Sequence, residues 1–352
     1  MAYTTIDNPT DYFTTVLSTS TGSALTIDTG FKPDWLWTKA RNFARSHEIH
    51  DTSRGDNKRL KSDANTAEES YSNYLAFTST GATFGTNHNL GYHTEGATTG
   101  VSWAWKANGG TETHSQAESG SNIACSVSAN TTAGFSIITY TGTGGTGHTF
   151  LHGLGSAPAW FIIKRRSGTE DWAGYHHKNT SQPETDHLLL NTTAATDDSE
   201  TRFDDTAPNG TEIALGNNAV GNADGSTYVC YAFKEIQGYS KFGSYTGNGN
   251  ADGAFVYTGF KPAWLMYKQT NAGTRDWIIV DNKRDIFNVC DEELYANEND
   301  ATGDVDLLDF VSNGFKCRRS HNSQNGNGDT YIYMAFAEHP FVSSEGVPTT
   351  AR

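Results

Sequence analysis

The chain contains three copies of one short segment, and this repetition is the strongest constraint on its fold. Residues 29–39 read TGFKPDWLWTK, residues 258–268 read TGFKPAWLMYK, and residues 154–164 read LGSAPAWFIIK. An aromatic-rich run follows each copy: VSWAWK, YVCYAFK and YIYMAFAE. The alanine of that run lies 71, 74 and 73 residues after the proline of the segment. Landmarks that keep their distance so closely predict three tandem structural repeats.

The residue types of the copied segment predict a buried strand. Proline fixes its own φ and lacks an amide hydrogen, which suits the first position of a strand. Side chains then alternate between faces, so that Trp35 and Trp37 lie on one side and Leu36 on the other. Both faces are apolar, which predicts a strand covered on both sides. The lysine that ends each copy is expected to reach the surface.

The downstream runs predict a second buried strand that lies close to the first in each repeat. The alanine of each run is expected to leave room for the motif tryptophan. An aromatic platform for a ligand is the alternative interpretation of these rings, but burial at period two favours a core. The predicted structural core consists of Pro33, Trp35, Trp37, Trp103, Trp105, Pro158, Trp160, Tyr231, Phe233, Pro262, Trp264, Met334 and Phe336.

Composition predicts an all-β fold. The 352 residues include 36 glycines, few stretches have a helical pattern, and Gly-rich turns separate short apolar runs. Each repeat is expected to be an antiparallel β-sandwich, with a jelly-roll-like form as one option, of roughly eight strands. The predicted units are residues 1–108, 134–238 and 239–340, with a polar linker over 109–133 and a tail over 341–352. The first repeat is expected to be hinged, because only a short segment separates the other two.

Charge and cysteine content exclude several classes of protein. A formal net charge of −15 argues against nucleic acid and against an anionic membrane surface as partners. No run of about 18 apolar residues occurs, and the N-terminal residues are polar, so neither a membrane span nor a secretion signal is predicted. The four cysteines lack CxxC spacing and are expected to stay reduced, with Cys230 in the core.

Motifs for chemistry are scarce. His47 and His50 are three residues apart, not the four of HExxH, and are expected in a surface turn. The acidic runs 197–205 and 291–306 lack EF-hand spacing and leave open only a low-affinity Ca²⁺ site; no other cofactor is predicted. The glycine runs 141–147 and 246–253 predict hairpin turns. No nucleophile motif argues for an enzyme, although the paired carboxylates of a glycosidase depend on the fold and stay open.

Several longer segments resemble a domain that is repeated in virion structural proteins of tailed bacteriophages from marine bacteria, of the cyanobacterial and Pelagibacter kind. They are GFKPDWLWTKARN, HEIHDTSRGDNKRLKSDANTAEE, TGFKPAWLMYKQTNAG, WIIVDNKRD and YIYMAFAEHPF. The resemblance covers nearly the whole chain. It implies a virion structural protein, made in the host cytoplasm and often encoded among tail or fibre genes. The second repeat departs from the pattern, with Ser156 and Ala157 in place of Phe-Lys and His177 in place of an aspartate.

Three functions are compatible with these observations. The first is a tail fibre or adhesin subunit that presents β-domains for attachment to a host-surface polysaccharide or protein. The second is a capsid decoration protein on the head surface, and the third is an enzyme that acts on polysaccharide. Other virion proteins are the expected partners, and a homotrimer is the expected assembly because such proteins commonly form symmetric oligomers. Location on head or tail and the identity of the receptor stay open.

Overall fold

The computed structural model describes residues 3–85, 97–107, 112–115 and 123–349. Within these residues nearly all regular structure is β-strand, so the all-β fold class predicted from composition is confirmed. No helix in this part of the chain is long and apolar enough to cross a membrane.

The strands follow the three sequence repeats. The first repeat contains β1 (Phe13–Thr19), β2 (Leu25–Asp28), β3 (Trp35–Ala40), β4 (Glu48–Asp51), β5 (Lys58–Arg59), β6 (Glu69–Ser70), β7 (Leu75–Phe77), β8 (Gly81–Phe84) and β9 (Thr99–Trp105). The second contains β10 (Glu112–His114), β11 (Cys125–Asn130), β12 (Phe135–Thr141), β13 (His148–Leu151), β14 (Trp160–Arg165), β15 (Ala173–His176), β16 (Asp186–Leu189), β17 (Asp197–Asp198), β18 (Glu212–Leu215) and β19 (Thr227–Phe233), with short helices α1 (Glu200–Phe203) and α2 (Ala219–Asn222). The third contains β20 (Ser240–Thr246), β21 (Phe255–Tyr257), β22 (Phe260–Gln269), β23 (Ile278–Asp281), β24 (Cys290–Tyr295), β25 (Gly303–Val311), β26 (Gly314–Cys317) and β27 (Thr330–Pro340).

Each repeat builds the same inner sheet around its motif strand. The orders are β1-β9-β3-β4, β12-β19-β14-β15 and β20-β27-β22-β23, and every pair is antiparallel. A second, outer layer contains β2, β7 and β8 in the first repeat, β13 and β18 in the second, and β21, β25 and β26 in the third. Local apolar clusters that include Leu36, Phe161 and Leu265 lie on the outer side of the inner sheets. Each repeat is therefore a two-layered β-sandwich.

The third repeat is jelly-roll-like in part. As in a jelly roll, its first two strands pair with distant strands near its end: β20 with β27, and β21 with β26. Between them, β22 to β26 run as a meander in which each strand pairs with the next. The glycine runs differ from expectation. They connect β12 to β13 and β20 to β21, which belong to opposite layers, so they are crossovers between layers rather than hairpin turns.

The two apolar runs of each repeat are neighbouring strands, as predicted. The motif tryptophan pairs with a large aromatic residue: Trp35 with Trp105, Trp160 with Phe233, and Trp264 with Phe336. The alanine of each downstream run pairs with the residue that comes directly after the motif tryptophan, and both lie on the outer face of the sheet. The expectation that alanine makes room for the tryptophan is therefore wrong. The small residue instead accommodates the outer layer.

The inner faces of all three sheets meet in one apolar core. It contains residues of every repeat, among them Trp35, Trp160 and Trp264. The Trp35 ring lies 4.8 Å from that of Tyr231, and the Trp105 ring lies 5.5 Å from that of Trp264. The cavity left between these rings is only about 10 Å³, about the room that one water needs. Each of the thirteen residues assigned to the core from sequence is buried.

This shared core changes the expected domain organisation. The first repeat packs on both others, with Trp35 against Phe233 and Trp105 against Phe336. It is therefore not hinged. The described part of the segment 109–133 is not a free linker, because β10 and β11 extend the sheet of the second repeat and Ile123, Cys125 and Val127 are buried in its local cluster. Polar neighbours hid this short alternation of apolar residues.

Two smaller features complete the fold. Pro33 and Pro158 precede their strands, but Pro262 lies inside β22 at a shift of register, one of the few sheet positions that tolerate proline. All four cysteines are buried, and each is a thiol rather than half of a disulfide. Cys290 and Cys317 share a cluster, yet both pair with Leu308 of the strand between them. Strands are about 4.8 Å apart, so these two cysteines lie beyond the roughly 7 Å that a disulfide can bridge.

The shared core predicts that the repeats unfold together. Trp264→Ala removes a ring that is 1% exposed and should lower the free energy of unfolding by about 3–5 kcal/mol. Denaturant titration measures this loss, and hydrogen exchange followed by mass spectrometry should show that all three repeats lose protection together. The control is Phe255→Ala, whose side chain is 51% exposed. Loss of protection in the third repeat alone would contradict the shared core.

Candidate functional site

The three interfaces between repeats are built from equivalent positions, which the strand registers define. The motif tryptophans Trp35, Trp160 and Trp264 pair with Asp51, His176 and Asp281. The residue of the second repeat that stands at the aspartate position is therefore His176, and the assignment of His177 from spacing is wrong. His177 lies one residue further on and contacts the carbonyl of Phe242 at 2.6 Å.

The motif lysines are buried inter-repeat contacts, although sequence predicts them at the surface. Lys39 donates to the carbonyl of Asn299 at 3.3 Å, Lys164 to that of Asn65 at 3.1 Å, and Lys268 to that of Thr193 at 3.3 Å. Each lysine also donates to the carbonyl of the residue that follows it. The lysine of the first repeat thus bonds to the third repeat, that of the second to the first, and that of the third to the second. Burial lowers the pKa of each ammonium to about 8.

A second set of hydrogen bonds follows the same cyclic direction. Trp172 donates its indole N–H to the carbonyl of Lys61 at 2.8 Å, and Trp277 donates to that of Leu189 at 3.0 Å. At the equivalent place in the first repeat, His47 Nε2 lies 2.9 Å from the carbonyl of Tyr295. His47 Nδ1 accepts from Trp37, which places the imidazole proton on Nε2.

The two histidines of SHEIHD are therefore structural. His47 and His50 are both buried rather than in a surface turn, and His50 lies on β4. Burial lowers the pKa of His47 well below its ordinary value and keeps the ring neutral. Among the described residues, no group of three or more His, Cys, Asp and Glu side chains could hold a metal ion.

A third set of contacts joins a buried ion pair to the next repeat. Asp51 accepts a hydrogen bond from Tyr231 Oη at 2.6 Å, and Asp281 accepts one from Trp103 Nε1 at 3.0 Å. An arginine three residues later binds each carboxylate: Arg54 on Asp51, and Arg284 on Asp281 at 2.6 Å. All four charged side chains are fully buried. A buried carboxylate needs such a set of donors, because it has lost its water.

At the interface between the second and third repeats, the side chain at the aspartate position donates a hydrogen bond to the next repeat instead of accepting one. Met334 replaces the donating ring, His176 replaces the aspartate, and Asn179 replaces the arginine. His176 Nε2 lies 3.2 Å from the carbonyl of Tyr333, and its Nδ1 accepts from the amide of Lys178. Burial lowers the pKa of His176 to about 3, so the ring is neutral at pH 7. Exchange of donor and acceptor satisfies the polar atoms of this ring without an ion pair.

Charged side chains also bridge the rims of two interfaces. Arg166 binds Glu68 at 3.0 and 3.1 Å between the second and first repeats, and Arg54 joins the same carboxylate at 3.2 Å. Arg41 binds both carboxylate oxygens of Glu292, at 2.8 and 2.6 Å, between the first and third repeats.

At the interface of the second and third repeats, threonines occupy the places that Glu68 and Arg166 have. At the interface of the first and third repeats, Thr302 also stands at the glutamate place, and Glu292 supplies the carboxylate from another position. Equivalent backbone hydrogen bonds define these places: Glu68 to Arg166, and Thr196 to Thr270, both at 2.9 Å. Thr196 thus stands where the first repeat has Glu68, and Thr270 stands where the second has Arg166. Neither side chain can form the bridge.

A groove of about 630 Å³ lies at this interface, and we call it the 2–3 groove. Its serine and threonine hydroxyls come from Thr180, Thr196, Ser244, Thr246, Thr270 and Thr330, and two tyrosines and one alanine complete the apolar part of the lining. Asn179, Asn271 and Lys178 add two amides and one ammonium, and no carboxylate lines it. The wall that the third repeat gives to the 2–3 groove has a counterpart on the second repeat. There the equivalent residues, with Arg166 among them, line a hollow of about 280 Å³.

The side-chain amide of Asn179, which lines the 2–3 groove, has a hydrogen-bond donor without an acceptor. Its side chain is 7% exposed, and its Oδ1 accepts from Thr196 Oγ1 at 2.7 Å. Its Nδ2 is buried and has no hydrogen-bond partner in the described protein. A buried donor left without an acceptor costs about 1–3 kcal/mol. This atom therefore favours an occupant that supplies an acceptor.

Other clusters of titratable groups are less suited to chemistry. Burial, together with a hydrogen bond to Asp291, raises the pKa of Asp285 to about 7. Carboxyl groups in direct hydrogen bond are closer than the roughly 5–10 Å that separates a glycosidase pair. Glu48 is buried with Arg59, Tyr74 and His50, none of which is open to a substrate.

The reversed interface predicts a rescue between two substitutions. His176→Asp places a buried carboxylate where no arginine or ring donor faces it, and should lower the free energy of unfolding by about 3–5 kcal/mol. Adding Asn179→Arg supplies the partner that Arg54 and Arg284 supply elsewhere, and should restore part of that loss. Denaturant unfolding of both single variants and the double variant measures the coupling. Additive effects would show that the three positions are not equivalent.

The buried lysines predict a specific pH dependence. The pKa of Lys268 falls from 10.5 in the unfolded chain to about 8 in the fold, so its stabilising contribution is complete above 10.5 and is lost as pH falls towards 8. The stability of the native protein relative to Lys268→Met should therefore rise by up to about 3 kcal/mol over this interval. Denaturant unfolding at several pH values measures it. Lys283→Met, at an exposed lysine, is the control, and an unchanged difference would contradict the prediction.

The comparison with known proteins adds one finding. Residues 8–340 match the family described as Domain of unknown function (DUF7483). No curated protein matches the chain, and no solved structure does. Because the match covers nearly the whole length, the chain belongs to the DUF7483 family.

Proposed function

We propose that the chain is a structural protein of a tailed-phage virion, and that it acts as a tail fibre or adhesin-type subunit attaching to the host surface. The observation that carries this proposal is a rigid threefold scaffold with a 2–3 groove at one of its three interfaces. A rigid scaffold with a recognition site at its surface is a common design of binding proteins. The resemblance of the repeated segments to virion proteins of marine phages supplies the setting.

Binding fits the structure better than catalysis. The 2–3 groove is lined by serine and threonine hydroxyls, two amides, one ammonium, two tyrosines and one alanine, with no carboxylate, histidine or thiol to act as base or nucleophile. The net charge of −15 disfavours nucleic acid as a partner. A host-surface polysaccharide or protein is therefore the proposed target, and neighbouring virion proteins are the proposed partners.

Adsorption of phage to host cells tests the proposal. Purified protein should bind host cells, and antibody fragments against it should lower the rate of adsorption. Quantitative mass spectrometry of virions should give a copy number close to that of known tail proteins. A copy number close to that of the major capsid protein, with adsorption unaffected by antibody, would instead support a capsid decoration protein. The expected homotrimer stays a prediction that light scattering of the purified protein would decide.

A further inference from the structure

We propose that the 2–3 groove binds a saccharide unit of a polysaccharide, and that a rotation of the Asn179 side chain brings its buried Nδ2 to an oxygen acceptor of the sugar. This inference deepens the proposed function and rests on it. The groove exists because the second and third repeats lack the side chains that bridge the other interfaces. At its rim Thr270 replaces the arginine that the other two interfaces have, and Thr196 leaves no carboxylate there. Asparagine replaces the buried arginine.

The chemistry of the lining selects the ligand. Four of the six serine and threonine hydroxyls already bond within the protein: Thr180 to Asp186, Thr196 to Asn179, and Thr270 to Thr330. Ser244 and Thr246 are exposed, and their hydroxyls can donate hydrogen bonds to a ligand and accept them from it. An apolar ligand would strip water from these groups without replacing its hydrogen bonds. A sugar presents a high density of hydroxyl groups that can replace that water, so it matches such a surface.

Two donors indicate where the acceptor of the sugar lies. Asn179 Nδ2 is a buried donor without a partner, and Lys178 places an exposed ammonium on the same groove. A carboxylate or an N-acetyl carbonyl is an acceptor that suits both positions. No acidic side chain of the lining competes for these donors. The groove therefore favours an acidic or N-acetylated sugar over a neutral one.

Size and shape fit a polymer. A volume of about 630 Å³ lies within the roughly 300–1,000 Å³ of small-molecule sites. Lys178, Ser244, Asn271 and Thr330 of the lining are exposed, so the groove is open to solvent and neighbouring sugar units can continue beyond it. The stacked rings of Tyr245 and Tyr331, 4.8 Å apart, support its third-repeat wall.

Titration calorimetry on the full chain tests the proposal with three defined probes: an alginate trisaccharide, chitotriose and maltotriose. The native protein should bind the uronic acid or the N-acetylated probe more tightly than maltotriose. Asn179→Asp, which keeps the shape but replaces the donor with an acceptor, should weaken that binding at least about tenfold. Thr246→Arg places a large side chain in the groove from an exposed position and should abolish binding without unfolding the protein.

A matched control comes from the third repeat. Lys283 occupies the position that Lys178 has in the second repeat, because it too lies two residues after the residue paired with the motif tryptophan. Lys178→Ala should weaken binding of the acidic probe, whereas Lys283→Ala should not. Circular dichroism and thermal melting confirm that each variant is folded.

Two results would overturn the inference. One is native protein that binds none of the three probes, and the other is binding that survives both Asn179→Asp and Thr246→Arg. Neither result bears on adsorption of the virion, which antibody fragments test separately. Conversely, probes that bind the groove while antibody leaves adsorption unchanged would remove the proposed function but leave a saccharide site.

Discussion

The packing of aromatic rings from three repeats into one core is the interaction on which the rest of the structure depends. Trp35, Trp160 and Trp264 lie on strands of different repeats, yet they share a single apolar cluster. This arrangement brings the ends of the motif strands against neighbouring repeats. The buried lysines, the indole contacts and the aspartate contacts all form there, and each set runs in one cyclic direction. The fold is thus one body with approximate threefold symmetry.

Divergence of the second repeat makes one of the three interfaces unlike the other two. Replacement of an aspartate by His176 is accompanied by Asn179 in place of arginine and by Met334 in place of a ring donor. These changes are coupled, because a buried carboxylate without donors is strongly destabilising. The 2–3 groove lies at this interface, where both charged partners are absent. Specialisation of one interface on a scaffold that all three interfaces hold together is the origin that we propose for a binding site.

Part of this structure could be predicted from sequence. The alternation of faces in the copied segment is local, and the structure has it: Trp35 and Trp37 face the common core, and Leu36 faces the outer layer. The all-β class and the pairing of the two apolar runs were equally accessible. The 2–3 groove was not, because the residues of its two walls are about 50 to 150 positions apart in sequence. A signal existed in the simultaneous departure of His176 and Asn179 from the aspartate and arginine of the other repeats.

The sequence by itself determined that the chain is all-β, that it repeats one unit three times, and that the motif tryptophans are buried. Each of these depends on residue type and on spacing along one strand. Only the tertiary structure decided that the repeats share a core, that Lys39 and its counterparts are buried contacts, and that His176 stands at the aspartate position. Those features depend on which repeat faces which, and hydrogen bonds between distant segments fix that choice.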